Sequence, residues 1–220
     1  MIMRSLVVNC KAYTEGIDRA VAIASEMYGI SKRYSDVDFI VAAPYTLLRD
    51  VSRLTKTIAQ SMDTIEPGAF TGHVSWYELK KAGAVGTLIN HSEKRISIRE
   101  VEKAVNICRD NGLLSYVCAS NLREVKKFVK FNPYAIAYEP PELIGGEVSV
   151  SKAKPKVVKQ FTDIVRSKAN SLALVGAGIK TPEDISKSVA LGSDGILVAS
   201  GIIKVENWEE TIYNFCDALS

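Results

Sequence analysis

Short apolar runs return along the whole chain at nearly even spacing. They read LVVN (6–9), FIVAA (39–43), TIA (57–59), TLIN (87–90), LLSYVC (113–118), AIAY (135–138), LALV (172–175) and GILVA (195–199). Each is short, bounded by polar or turn residues, and several are rich in β-branched side chains. Strands buried on both faces, as in a parallel sheet, read this way. Between them lie stretches of helical spacing. In 17–31 the apolar positions are Ile17, Val21, Ala24, Met27 and Ile30. In 98–111 they are Ile98, Val101, Ala104, Val105 and Cys108, and Gly112 follows as a helix-terminating glycine. Thr181-Pro182-Glu183-Asp184 is a helix start, with a capping hydroxyl, proline in the first turn and acids beside the helix dipole.

Eight strand–helix units in 220 residues give a repeat of about 27. An open doubly wound sheet shares the alternation. Eight units without a linker or low-complexity segment favour an α/β fold of one domain over 1–220, a closed (β/α)8 barrel. Two connections are long. Residues 61–75 follow the third strand and 139–154 follow the sixth. In a barrel both lie on the C-terminal face, where active sites are built.

The charge balance, 28 Lys+Arg against 25 Asp+Glu, shows no basic stripe and argues against a nucleic-acid partner. The densest basic groups, Lys80-Lys81, Lys126-Lys127 and Lys152/Lys154/Lys156, read as solvated helix faces. No apolar run reaches the roughly 18 residues of a membrane span, and the first residues lack the pattern of a signal peptide. Cys10, Cys108, Cys118 and Cys216 are far apart and read as reduced thiols in a cytoplasm. With two histidines, a His-rich metal site is not expected.

Polar residues at strand ends are the candidates for chemistry. Alternation after the first strand places Asn9 and Lys11 on one face and Cys10 on the other. They put an amide and an ammonium beside a ligand, or they are a strand end meeting solvent. After the fourth strand, Asn90 could cap a short helix with Glu93 closing a capping box. His91 would then sit at a positive dipole end that disfavours imidazolium, leaving a ring that can give and retake a proton. The alternative is a histidine merely occupying a turn. Glu139 ends the sixth strand in an apolar setting that raises a carboxyl pKa. Pro140-Pro141 makes a stiff hinge, with Leu143 and Ile144 to exclude water and Gly145-Gly146 to let backbone approach. The last two strands end in Val175-Gly176-Ala177-Gly178-Ile179 and Leu197-Val198-Ala199-Ser200-Gly201. Small residues there free N–H groups for an anion, or simply make tight turns.

Taken together, Asn9-x-Lys11, Asn90-His91-Ser92-Glu93, Ala137-Tyr138-Glu139-Pro140 and the closing Gly-Ala-Gly and Ala-Ser-Gly segments resemble the triosephosphate isomerase family, in the family's order and across nearly the whole chain. The wording EPPELIG looks most like the archaeal short form. The resemblance implies a TIM barrel and interconversion of dihydroxyacetone phosphate and D-glyceraldehyde 3-phosphate through an enediolate, in glycolysis and gluconeogenesis. It implies Glu139 as the base, neutral His91 as the electrophile, and Lys11 with Asn9 beside the substrate's negative charge. It pairs Glu93 with Lys11, in competition with the capping box. Backbone N–H groups around Ile144, Gly178, Ala199 and Ser200 would hold the phosphate, and 140–148 would close over the intermediate. It implies no metal or organic cofactor.

Residues 61–75, tipped by Gly68-Ala69-Phe70-Thr71-Gly72, are similar to the family's interlocking loop. The resemblance implies self-association through this loop, a homodimer at least, with tetramers common among archaeal relatives. Three positions depart from the pattern. The lid reads Ile144-Gly145-Gly146-Glu147, where the second glycine loosens the loop and Glu147 adds charge near a dianion. Asn90 stands where many relatives have glycine, and Ala199-Ser200 stands for a Gly-Gly pair. Another phosphosugar barrel isomerase would not need Asn9, His91 and Glu139 together. A phosphate-binding barrel without catalysis would tolerate Glu139→Asp.

Overall fold

The eight apolar runs become eight parallel strands because each must bury both faces. The computed structural model describes residues 3–143 and 149–220. The strands are β1 Arg4–Asn9, β2 Val37–Ala43, β3 Lys56–Ala59, β4 Gly86–Ile89, β5 Leu114–Ala119, β6 Ala135–Tyr138, β7 Leu172–Val175 and β8 Gly195–Val198. Each pairs in parallel with the next, and β8 returns to β1. Val8 aligns with Val41 on one side and Val198 on the other, so the barrel has no free edge. The closed (β/α)8 expectation holds, and the open-sheet alternative does not.

Side chains alternate across the barrel wall. Val7, Ile40, Ile58, Leu88, Tyr116, Leu174 and Leu197 fill the interior. Leu6, Val8, Val41, Val117, Ile136 and Ile196 face the helices. Asn90 belonged to the expected fourth strand, but its φ of 62° turns the chain out of the sheet.

Ten helical segments surround the wall among the described residues. They are α1 Thr14–Ile30, α2 Leu48–Ser52, α3 Trp76–Lys81, α4 Ile98–Asp110, α5 Leu122–Phe128, α6 Val150–Ala153, α7 Pro155–Lys168, α8 Pro182–Ala190, α9 Ser200–Ile203 and α10 Trp208–Leu219. α1 begins three residues before the expected start, and its buried stripe is Gly16, Ala20, Ile23, Ala24, Met27 and Ile30. Ile17 and Val21 lie off that stripe and are exposed. Gly16 explains the shift. A Cβ there would lie 2.1 Å from the Cys10 carbonyl oxygen, so only glycine lets the first turn close on the end of β1.

α4 and α8 open with capping boxes, Ser97 with Glu100 and Thr181 with Asp184. Gly112 takes the left-handed conformation, φ 67°, that terminates α4. Residues 61–75 carry no helix or strand, as expected. In the 139–154 connection the described residues include a 3-10 turn at Pro141–Leu143 and the short helix α6. All four cysteines are free and buried. No described helix is long and apolar enough to cross a membrane.

Candidate active site

The polar strand ends converge at the C-terminal mouth. Asn9 is buried, and its Oδ1 accepts the Lys11 N–H at 3.0 Å. That short turn holds Lys11 at φ 51°. Strand alternation therefore does not aim Lys11, because β1 has ended; the Asn9 side chain does, by supporting a left-handed residue. Lys11 Nζ lies 2.7 Å from Glu93 Oε1, with the lysine side chain almost covered. Gln60, directly after β3, donates from Nε2 to the Lys11 carbonyl at 3.1 Å and lies 3.4 Å from Asn9 Oδ1.

The capping box expected at Asn90 and Glu93 does not form. Asn90 Nδ2 donates to the Cys118 carbonyl at 3.0 Å, and its Oδ1 accepts the Ile96 N–H at 3.1 Å. A single turn follows, closed by Lys94 N–H on the His91 carbonyl. No helix begins there; the next starts after Ser97. A seven-residue link stitched at both ends by Asn90 leaves no room for a helical turn to propagate. Glu93 instead turns to Lys11.

His91 is oriented by its backbone surroundings rather than by a helix dipole. Its Nδ1 accepts the Glu93 N–H at 3.2 Å, so a proton on the neutral ring resides on Nε2. The tautomer is assigned from this bonding pattern. Nε2 faces Glu139 Oε1 at 3.7 Å. An imidazole N–H and a carboxylate thus flank the space where a reacting carbon and its oxygen would sit.

Glu139 is only 4% exposed, and its Oε2 has no hydrogen-bond partner. Burial raises its carboxyl pKa above the ordinary value, while His91, the Cys118 thiol and Lys11 oppose the rise. A raised pKa makes the carboxylate a stronger base. The side chain rests on Gly176, where a Cβ would lie 2.7 Å from Glu139 Cγ and 3.0 Å from Cδ. Gly176→Ala should therefore displace the carboxylate and lower kcat by about 100-fold, with KM near wild type. Steady-state kinetics check this, and an unchanged kcat would mean that Glu139 has freedom the packing denies.

Across the mouth, Gly178 has φ 69°, and Ala199 leads into α9. A Cβ on Gly201 would lie 2.4 Å from the Ile179 carbonyl oxygen, so the turns after β7 and β8 pack together. Asn9, Lys11, His91, Glu139, Gly178, Ala199 and Ser200 line one pocket. The phosphate candidates thus share a cavity with the acid–base groups. Ile144, Gly145, Gly146 and Glu147 lie outside the described residues.

Sequence reasoning missed four participants. Gln60 had a usable signal, since it is polar directly after an apolar run, like Asn9 and Glu139. Gly176 was seen only as part of a small-residue turn, because a glycine gives no sign of what rests on it. Cys118 reads as core. Tyr13 lines the pocket, and Lys204 Nζ lies 4.2 Å from its ring centroid. No local pattern joins residues that far apart.

A closed (β/α)8 barrel carrying a buried carboxylate, an oriented imidazole and an ammonium at its C-terminal mouth defines an acid–base barrel enzyme. The sequence profile of triosephosphate isomerase matches residues 4–216. Among similar proteins, the triosephosphate isomerase of Methanopyrus kandleri is 37% identical over 220 residues, covering 97% of both chains. That of Saccharolobus solfataricus is 39% identical, covering 96% of this chain and 93% of its own. That of Methanosarcina barkeri is 41% identical, covering 90% and 91%. The chain belongs to the triosephosphate isomerase family.

Proposed function

We propose that Glu139, His91, Lys11, Asn9 and Glu93 carry the reaction of this family in a single domain spanning residues 1–220. The reaction is the interconversion of dihydroxyacetone phosphate and D-glyceraldehyde 3-phosphate, a triose-phosphate isomerase activity that serves glycolysis and gluconeogenesis. Glu139 moves the proton between adjacent carbons. His91 Nε2–H supplies a proton to the developing enediolate oxygen and takes it back. Lys11 stabilises the negative oxygen, and Glu93 holds its ammonium in place. Gly178, Ala199 and Ser200 offer backbone N–H groups to the phosphate, with Ile144 completing the set.

One observation carries the reading: Glu139 Oε1 and His91 Nε2 face each other at 3.7 Å in the pocket shared with Lys11 and Ser200. A coupled assay with D-glyceraldehyde 3-phosphate, dehydrogenase and NADH tests it. Turnover with competitive inhibition by inorganic phosphate is expected. Turnover without competition would remove the phosphate assignment while leaving the acid–base groups.

The working enzyme is a self-associated form, a dimer at least and tetrameric as an option open to archaeal relatives, in the cytoplasm. Phe70 at the 61–75 tip is 48% exposed, and exposed apolar rings at a loop tip favour burial against a partner. A hollow lined by Tyr45, Gln60, Lys94, Lys11 and His91 lies beside the catalytic pocket, where a partner's loop tip would seat. Phe70→Glu should shift sedimentation toward the monomer. An unchanged sedimentation coefficient would place the interface elsewhere.

A further inference from the structure

We propose that Asp184 is a positioning residue for the isomerase reaction, clamping the phosphate-side turn after β7 to the segment that enters α6. The proposal rests on reading Gly178 as part of the phosphate site.

The capping boxes of this protein show what an ordinary acid does at the third helical position. Glu78 and Glu100 each serve the Ser three residues before them. Asp184 does that and more. Its Oδ2 accepts the backbone N–H groups of Thr181 at 3.0 Å and Lys180 at 3.1 Å. Those two residues end the turn that contains Gly178. Its Oδ1 points the other way. It accepts the Ser149 hydroxyl at 2.8 Å and lies 3.0 Å from Lys152 Nζ. Its carbonyl accepts the Ser151 hydroxyl at 3.1 Å. Beside this clamp, Val150 N–H donates to the carbonyl of Ala177, the residue before Gly178, at 3.0 Å.

Asp184 is only 3% exposed. Burying a carboxylate is unfavourable unless its lone pairs are filled, and capping α8 alone would not require it. Here the burial penalty, which raises the pKa, is outweighed by Lys152, the Lys180 and Thr181 N–H groups and Ser149, and the carboxyl is held at about 2. The group is ionised throughout the working range. Lys152 is therefore not the solvated cation its sequence context suggested. The consequence is that 149–152 and 177–181 move as one body. The orientation of the Gly178 turn toward the pocket is set by a carboxylate that does not line it.

A positioning role and a merely structural role separate on substrate. Asp184→Asn puts an amide N–H₂ against either the two backbone donors or the Lys152 ammonium, so one side of the clamp opens. The expected result is a KM for D-glyceraldehyde 3-phosphate and an inhibition constant for inorganic phosphate each raised about ten-fold. Proton exchange on unphosphorylated D-glyceraldehyde in D₂O, followed by NMR, should stay within about two-fold of wild type. Lys152→Met opens the same joint from a partly exposed position that folding tolerates, and it should give the same selective loss, smaller in size. Equal losses on both substrates in the two variants, or no loss on either, would overturn the proposal. If inorganic phosphate does not compete in the wild type, it is the phosphate reading of Gly178 that fails, and the clamp loses its ligand.

Discussion

Glu139→Gln is expected to lower kcat by about 10²–10⁴-fold, the range a positioned general base contributes, while substrate binding changes far less. The amide keeps the shape of the side chain on Gly176 but cannot take a proton. Glu139→Asp should also fail, because it withdraws the carboxylate by one methylene from the position set opposite His91. The same Gln variant should melt higher than wild type at neutral pH. Glu139 is buried with Oε2 unpartnered, and burial raises its pKa. For a group raised in the folded state, the stabilising contribution is complete below its unfolded value, near 4.5, and is lost as pH climbs through the folded value. Above the folded value the wild type carries a buried charge that the variant lacks, so the two diverge as pH rises. Each kcal/mol recovered is worth about 2–4 °C in a chain of this size. Calorimetry at pH 7 and pH 4 should show a gap that shrinks in acid. Equal melting temperatures at pH 7 would mean that the carboxylate is solvated in a way its burial contradicts.

His91→Gln is the second large effect, with kcat again expected to fall about 10²–10⁴-fold. A glutamine amide can reach toward the substrate oxygen and donate a hydrogen bond, but it cannot release and recover a proton at each turnover. The loss should appear in kcat more than in KM, since the ring acts on charge that develops during reaction. Steady-state kinetics in both directions check this. A variant with wild-type kcat would reduce His91 to a turn residue whose Nδ1 merely accepts the Glu93 N–H.

These expectations tie stability to activity. The groups proposed to do the chemistry, Glu139 and Lys11, are covered ionisable side chains whose neighbours hold them in place, Gly176 beneath the first and Glu93 beside the second. Asp184 is a covered charge of the opposite kind, fully bonded and strongly acidic. As pH falls through the ordinary carboxylate range toward about 2, its contribution to stability is lost, whereas the burden imposed by Glu139 disappears.

Much of this was legible in the amino-acid order. Eight doubly buried runs can close into a parallel barrel without leaving edges, and the period of two inside each run already separates Val7 and Leu197 from Val8 and Val198. The helix start at Thr181-Pro182-Glu183-Asp184 is local chemistry, its capping box closed within one turn, so it formed as written. Asn9, His91 and Glu139 were visible because a polar residue ending an apolar strand must meet something other than the core. What sequence could not decide lies in contacts between units far apart in the chain. Glu93 had two acceptable partners, a capping box with Asn90 or Lys11, and only the turn stitched by Asn90 between β4 and α4 chose the lysine. Gly176 matters for the side chain that rests on it, Gly16 for the carbonyl it meets, and Lys152 for a carboxylate more than thirty residues away. Periodicity reports which face of an element is buried, because burial repeats with the backbone. It carries no record of which side chain will stand opposite, since that depends on how eight separately encoded units register when the barrel closes.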